Sequence, residues 1–172
     1  IYLDIHDIPG LNDGLTKGVF FQWIENNFDE LDIILHIVDI NSPLNTSDQI
    51  DILKMLIKNI ESEKISNNRE VLLLTIINKC DEMDISDSGD FIFDEEDKEN
   101  YDQIIKYTMD TINETAQDIN NINVCFTPLS AADTFVYRML HNDPNVELDM
   151  KLLQKFGVNE VGTVSYTHLT LP

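Results

Sequence analysis

Apolar residues follow two kinds of pattern along the chain, one typical of strands and one typical of helices. Val71–Ile77 is an uncharged run rich in branched apolar residues, which predicts a strand buried on both faces of a parallel sheet. Asp32–Asp39 predicts a second buried strand, in which we interpret His36 as an interior histidine rather than a metal ligand. The alternation of Ile1–His6 and the short apolar run Asn123–Phe126 predict two more strands.

Apolar residues at helical spacing lie between and after these strands. They predict helices over Leu15–Phe28, Tyr101–Ile119, Ala132–His141 and Val146–Phe156, and over a segment capped by Thr46 or Ser47 with the stripe Ile50, Leu53, Leu56, Ile57 and Ile60. We interpret Glu61–Glu70 as a polar connector and Glu82–Asn100 as an acidic insert. The order of strand and helix, repeated four times, predicts an α/β fold: a parallel sheet with helices on both faces and right-handed crossovers.

The most informative polar motif is Asn78-Lys79-Cys80-Asp81, which directly follows a predicted buried strand. Ligands of open α/β sheets bind at the carboxyl ends of the strands. A carboxylate at Asp81 offers two acceptor oxygens to the N1–H and N2 amino donors of guanine, a donor pair that adenine lacks. Asn78 can bond N7, and the Lys79 stem can lie over the face of the base. The alternative is a plain polar turn at a strand end.

Two weaker motifs also follow predicted strands. Asp7-Ile8-Pro9-Gly10 offers a carboxylate that can hold a water of Mg²⁺ and a glycine N–H that can approach a terminal phosphate, although it also reads as an ordinary Pro-Gly turn. Ser130-Ala131 would present a main-chain N–H, best supplied at Ala131, to guanine O6. Because carboxyl ends of parallel strands share one edge of a sheet, the three motifs are expected to meet there.

In this order the motifs resemble those of P-loop GTPases. Asp7–Gly10 resembles the switch motif of the family, Asn78–Asp81 its guanine-specificity motif and Ser130-Ala131 its last base-contacting motif. The dynamin-like and Era-like branches fit about equally well. The resemblance implies a P-loop NTPase-like fold, GTP and GDP with Mg²⁺ as cofactors, and hydrolysis of GTP as a switch or mechanochemical protein. It further implies catalytic roles for Asp7 and Gly10, and a nucleotide-dependent dimer.

The chain departs from that family in one large respect, because it contains no Gly-x-x-x-x-Gly-Lys-Ser/Thr phosphate loop. We interpret residues 1–162 as a partial G domain that lacks the first strand, the phosphate loop and switch I, and residues 163–172 as a non-native or disordered tail. In this family the missing strand lies between those predicted at Ile1–His6 and Asp32–Asp39. We therefore expect the chain by itself to bind GTP weakly or not at all.

The amino-acid composition argues against some classes of binding partner. The net charge is −21, from 32 acidic and 11 basic residues, which argues against binding to nucleic acid or anionic membrane. The two cysteines have no metal-ligand spacing, and no signal peptide or apolar run of membrane-spanning length is present, so an intracellular protein is expected.

Two other functions are compatible with the sequence. One is a non-hydrolysing pseudo-GTPase that keeps only an interaction surface. The other is a calcium-responsive domain, since the residues from Asp84 to Glu95 loosely follow the spacing of a calcium loop. Serines replace two of the usual ligands in that loop, and a predicted strand replaces the entering helix.

Overall fold

The computed structural model describes residues 4–7, 17–42, 46–80, 83–86 and 91–142. Within these residues the helices are α1 (Lys17–Asn27), α2 (Ser47–Asn67), α3 (Glu95–Thr115) and α4 (Ala131–Asn142). The strands are β1 (Ile33–Asp39), β2 (Leu72–Asn78), β3 (Asp84–Ile85), β4 (Phe91–Ile92) and β5 (Asn123–Leu129). Short 3₁₀ turns lie at Phe28–Glu30 and Ile119–Asn121.

Three of the described strands form a parallel sheet in the order β1–β2–β5. The N–H of Leu72 donates to the carbonyl of Asp32 at 3.0 Å, and the N–H of Ile40 donates to the carbonyl of Asn78 at 3.1 Å. Both bonds fit one parallel register of β1 on β2. The predicted α/β class with a parallel sheet is therefore confirmed.

By its internal contacts the chain divides into two compact units. The first comprises Ile1–His36, Leu44–Leu74 and Lys106–Cys125, and the second comprises Ile37–Pro43, Thr75–Ile105 and Phe126–Pro172. Each unit has its own buried apolar residues. Those of the first include Ile24, Phe28, Leu53, Ile57, Ile60, Leu73 and Ile112, and those of the second include Val38, Ile40, Ile77, Cys80, Met83 and Ile104.

The neighbouring strands β1 and β2 differ in burial. In β2 the fully buried Leu73, Thr75 and Ile77 alternate with half-buried residues, which suits an inner strand covered on both faces. In β1, Ile33, Leu35 and Ile37 are exposed at 52%, 53% and 63%. The prediction that Asp32–Asp39 forms a second buried strand is therefore wrong for the face that carries these three residues. Among the described strands β1 lies at one end of this sheet, and apolar content alone does not distinguish an end strand from an inner one.

Helix α2 begins as predicted and ends later. Thr46 is its N-cap and forms a capping box with Gln49. The helix then continues to Asn67, so the predicted polar connector Glu61–Glu70 is mostly helical. Its residues are mainly good helix formers, and Asn68 closes the helix in the left-handed conformation that such caps need.

Buried Glu61 holds the chain after α3 in place. Its carboxylate accepts the N–H of Gln117 at 2.9 and 3.1 Å and the N–H of Asp118 at 3.0 Å. These donors lie beyond the end of α3 at Thr115, where helical partners run out. Burial raises the pKa of Glu61, but the two N–H donors and the Asn121 side chain outweigh it, so the pKa lies below its ordinary value of 4.5.

A second polar anchor lies just after α2. The Arg69 guanidinium donates to the carbonyls of Phe28, at 3.3 Å, and Leu31, and it pairs with Glu63 at 3.1 Å. These bonds connect the end of α2 to the turn that precedes β1. A planar guanidinium suits this task because it presents several donors in fixed directions.

The acidic insert is more ordered than predicted. Strands β3 and β4 pair as an antiparallel ribbon within it, and α3 begins at Glu95 rather than at Tyr101. Asp94 accepts the N–H of Asp97 at 2.8 Å, and three acidic residues occupy the first turn, where the helix dipole favours negative charge. Strand β5 is also longer than predicted, since it ends at Leu129 rather than at Phe126.

The first predicted strand does not form among its described residues. Asp4 to His6 are not in a strand, and Ile5 is 73% exposed. Alternation of apolar and polar residues alone cannot make a strand without a neighbour to bond. The predicted helix over Val146–Phe156 and the predicted tail lie outside the described residues.

Helix α1 confirms the predicted helix before β1. Ile24 and Phe28 are buried, and the Trp23 ring is half-buried with its centroid 5.1 Å from that of His6. Val19, near the start of the same helix, is 68% exposed.

Candidate functional site

The ends of β1 and β2 are joined by main-chain bonds. Beyond the bond from Ile40 to Asn78, the N–H of Ser42 donates to the carbonyl of Asp39 at 3.0 Å and closes a turn after β1. The Asp39 carboxylate accepts the N–H of Asn41 at 2.9 Å within that turn. These bonds hold the turn beside the end of β2.

The other side of the motif is bonded to β5. The N–H of Cys80 donates to the carbonyl of Leu129 at 3.2 Å, and the Cys80 thiol donates to the carbonyl of Ile77 at 3.3 Å. Ser130 is buried directly after β5 and its carbonyl accepts the N–H of Thr134 at 3.0 Å, which starts α4. Ala131 is the first residue of α4 and is exposed. The segment from Asn78 to Cys80 therefore lies between the carboxyl ends of β1 and β5.

Lys79 has an unusual backbone and a charged partner. Its φ is 68°, in the left-handed region that costs a residue with a β-carbon on the order of 1 kcal/mol. Its ammonium lies 2.6 Å from the Asp39 carboxylate. Burial raises the pKa of Asp39, but the bonds from Lys79 and from the N–H of Asn41 outweigh it and hold the pKa below its ordinary value.

The side chain of Asn78 is incompletely satisfied. Its Oδ1 atom is buried and has no hydrogen-bond partner among the residues that the structure describes. A buried acceptor without a partner costs roughly 1–3 kcal/mol, and only a hydrogen-bond donor that reaches this oxygen would relieve that penalty.

The other predicted site residues are Asp7, Gly10 and Asp81. Asp7 is exposed and belongs to the first unit, whereas Asn78, Lys79, Ser130 and Ala131 belong to the second. Gly10 and Asp81 lie outside the described residues.

Metal ligands are sparse in the described part of the chain. It contains no group of three or more His, Cys, Asp or Glu side chains able to hold a metal ion. Of the predicted calcium loop, Asp84 lies in β3, Ser86 follows it and Glu95 opens α3, while Ser88 and Gly89 are outside the described residues.

His36 occupies the middle of β1. Burial lowers the pKa of its imidazole from 6.5 to about 4, so the ring is neutral at pH 7. By its solvent exposure His36 is half-buried, and it belongs to no group of three or more metal-ligating side chains among the described residues.

A separate groove lies at the other ends of the strands. It has a volume of about 230 Å³ and is lined by Lys64, Glu70, Val71 and residues 120–123, which precede or begin β2 and β5. The Lys64 ammonium bonds Glu70 at 2.8 Å and holds the pKa of that carboxyl below its ordinary value. Ligands of parallel sheets bind at the opposite, carboxyl ends, so we place the candidate site at Asn78–Cys80.

Sequence reasoning missed Asp39. The signal that could have found it is a carboxylate at the carboxyl end of the strand before β2, since adjacent parallel strands end side by side.

Among described residues, no helix is both long enough and apolar enough to cross a membrane. Comparison of the chain with known protein families, with curated proteins and with solved structures finds no match in any of the three.

Proposed function

We propose that the chain is the guanine-nucleotide-binding portion of a GTPase that hydrolyses GTP to GDP and phosphate as a switch or mechanochemical protein. The observation that carries the proposal is the position of Asn78. Asn78 is the last residue of the inner parallel strand β2, where its side-chain NH₂ group can donate to a base, and the segment that follows is bonded to the neighbouring strand β5. A strand end of this kind is where a P-loop NTPase-like sheet would bind its base.

Each side chain of the motif has a separate task in this proposal. The Asp81 carboxylate accepts N1–H and the N2 amino group of guanine, in charge-assisted bonds that contribute roughly 1.5–3 kcal/mol each. Asn78 bonds N7, and the aliphatic stem of Lys79 covers one face of the ring. The exposed start of α4 at Ala131 offers its N–H to O6, and its small side chain leaves room for that approach.

Fewer residues are available to contact the phosphates than to contact the base. One exposed carboxylate at Asp7 fits a contact to Mg²⁺ through a water, and it does not by itself make a metal site. Gly10 would meet the γ-phosphate. Bound Mg²⁺ would neutralise charge on the phosphates, while Asp7 keeps one of its waters oriented. Because the sequence has no phosphate-loop lysine, we expect this chain to hold the base with millimolar rather than micromolar affinity.

The test is a titration of the ¹⁵N-labelled chain with GMP, AMP and XMP, followed by amide chemical shifts. We expect GMP to move the amides of Asn78, Lys79, Cys80 and Ala131 while AMP at the same concentration does not. Asp81→Asn replaces one acceptor by a donor, so it should shift the preference from GMP toward XMP. The exposed variant Glu114→Gln changes the formal charge equally and should leave the preference unchanged.

Two results would refute the proposal. Equal responses to GMP and AMP would remove guanine recognition altogether. An Asp81→Asn variant that still prefers GMP over XMP would remove the role of that carboxylate.

A further inference from the structure

The ion pair between Lys79 and Asp39 differs in kind from two exposed ion pairs on the surface of helix α3. Lys98 with Asp102 and Lys106 with Asp110 are neighbours one turn apart on α3. Asp39 is the last residue of β1 and Lys79 directly follows β2, and their charged atoms are 2.6 Å apart. This pair therefore fixes the position of one strand end relative to another.

Stability alone is a weak reason for such a pair. The Lys79 side chain is 59% exposed and that of Asp39 is 30% exposed, and pairs this open to solvent contribute little to folding. The left-handed backbone of Lys79 adds a cost instead. The geometry is better explained by what the pair does to the lysine stem.

Both ends of that stem are held. The backbone of Lys79 is flanked by the bonds of Asn78 to Ile40 and of Cys80 to Leu129. The carboxylate that receives the ammonium is itself fixed by the N–H of Asn41. A lysine side chain has four rotatable bonds and would otherwise lose much conformational entropy on covering a ligand. In this structure the Lys79 side chain is already restricted before any ligand binds, so binding would cost less conformational entropy.

We propose that Asp39 is a positioning residue for Lys79, holding its aliphatic stem in place to cover the face of a purine base. This role rests on the function proposed above, and Asp39 itself makes no contact with the base. It adds to the site a residue outside the Asn78–Asp81 motif.

The experiment measures the dissociation constant of GMP by amide shifts in the whole 172-residue chain, for wild type and variants. Asp39→Asn removes the charge while keeping the shape, and we expect GMP affinity to fall about fivefold, the upper range for one exposed pair. Asp39→Glu should recover part of the loss. Asp110→Asn, which breaks an exposed Lys–Asp pair on α3, should change affinity by less than about twofold.

A double-mutant cycle separates positioning from a general structural effect. Lys79→Met keeps an aliphatic stem and removes the ammonium. If Asp39 acts through Lys79, Asp39→Asn adds no further loss in the Lys79→Met background, and the amide spectra of all variants remain those of the folded chain.

Failure of this proposal is distinguishable from failure of the proposed function. Wild type that binds GMP, with Asp39→Asn binding it equally well, overturns the role of Asp39 alone. A full additional loss from Asp39→Asn in the Lys79→Met background also overturns it. Wild type that shows no preference for GMP over AMP overturns the nucleotide function, and the positioning role with it.

Discussion

Replacing Glu61 by glutamine tests whether a buried carboxylate anchors the chain after α3. The native carboxylate accepts three N–H···O contacts of 2.9–3.1 Å from Gln117 and Asp118. A glutamine can keep an oxygen at the Oε1 position, which accepts both N–H groups, but it places an NH₂ group at the Oε2 position. The variant therefore loses the negative charge that strengthens these two bonds and the second contact of the Gln117 N–H.

The expected loss can be estimated from those two changes. A bond to a charged group contributes about 1.5–3 kcal/mol and a bond to a neutral group about 0.5–1.5 kcal/mol, so two bonds that lose the charge predict destabilisation of about 2 kcal/mol. For a chain of this length that corresponds to a fall in Tm of roughly 4–8 °C. Urea unfolding followed by the fluorescence of Trp23, the single tryptophan, measures it.

Acid provides an internal check on the same variant. Because the folded pKa of Glu61 lies below 4.5, its contribution to stability is fully present above that value and is lost as pH falls through the folded pKa. The difference between wild type and Glu61→Gln should therefore shrink in acid. The control is Glu114→Gln, at an exposed position near the end of α3. If the two variants differ by less than about 0.5 kcal/mol at pH 7, the usual scatter for surface changes, the anchoring argument is wrong.

Two further predictions concern the first unit. The pKa of His36 is about 4 in the folded chain and 6.5 by its ordinary value, so the unfolded chain takes up a proton first as the pH falls. The free energy of unfolding should therefore fall between about pH 6.5 and about pH 4, by at most about 3 kcal/mol. His36→Gln should make the urea midpoint less dependent on pH in this window, and an unchanged pH dependence would contradict the burial of a neutral ring. Arg69→Lys keeps the charge but cannot donate to both Phe28 and Leu31, so it should cost about 1–2 kcal/mol in urea unfolding, whereas a variant as stable as wild type would show that these bonds contribute nothing.

Local patterns of apolar and polar residues predicted an element correctly where its neighbours in the fold bury the residues that the pattern marks as apolar. β2 was predicted to be buried on both faces, and between β1 and β5 it is fully buried on one face and half-buried on the other. The same reasoning failed for one face of β1, since apolar content does not tell whether a strand lies inside a sheet or at its border. It also failed for Asp4 to His6, which have the alternation of a strand but no strand partner among the described residues.

Long-range contacts explain the other misses. Glu61 looked like the start of a polar connector, and only its bonds to Gln117 and Asp118 show why a carboxylate is buried there. Asp39 became part of the candidate site only through the adjacency of β1 and β2. The roles of Gly10 and Asp81 remain predictions, because both residues lie outside the described part of the chain.

The position of β1 at one end of the sheet formed by the described strands has a consequence for how isolated chains behave toward one another. A border strand that displays Ile33, Leu35 and Ile37 is a natural template for unwanted association with a second copy. The charge of −21 opposes this, since two such chains repel one another before their borders can meet. Repulsion of that kind is weakened by dissolved salt, so ionic strength sets how well the acidic surface protects this strand.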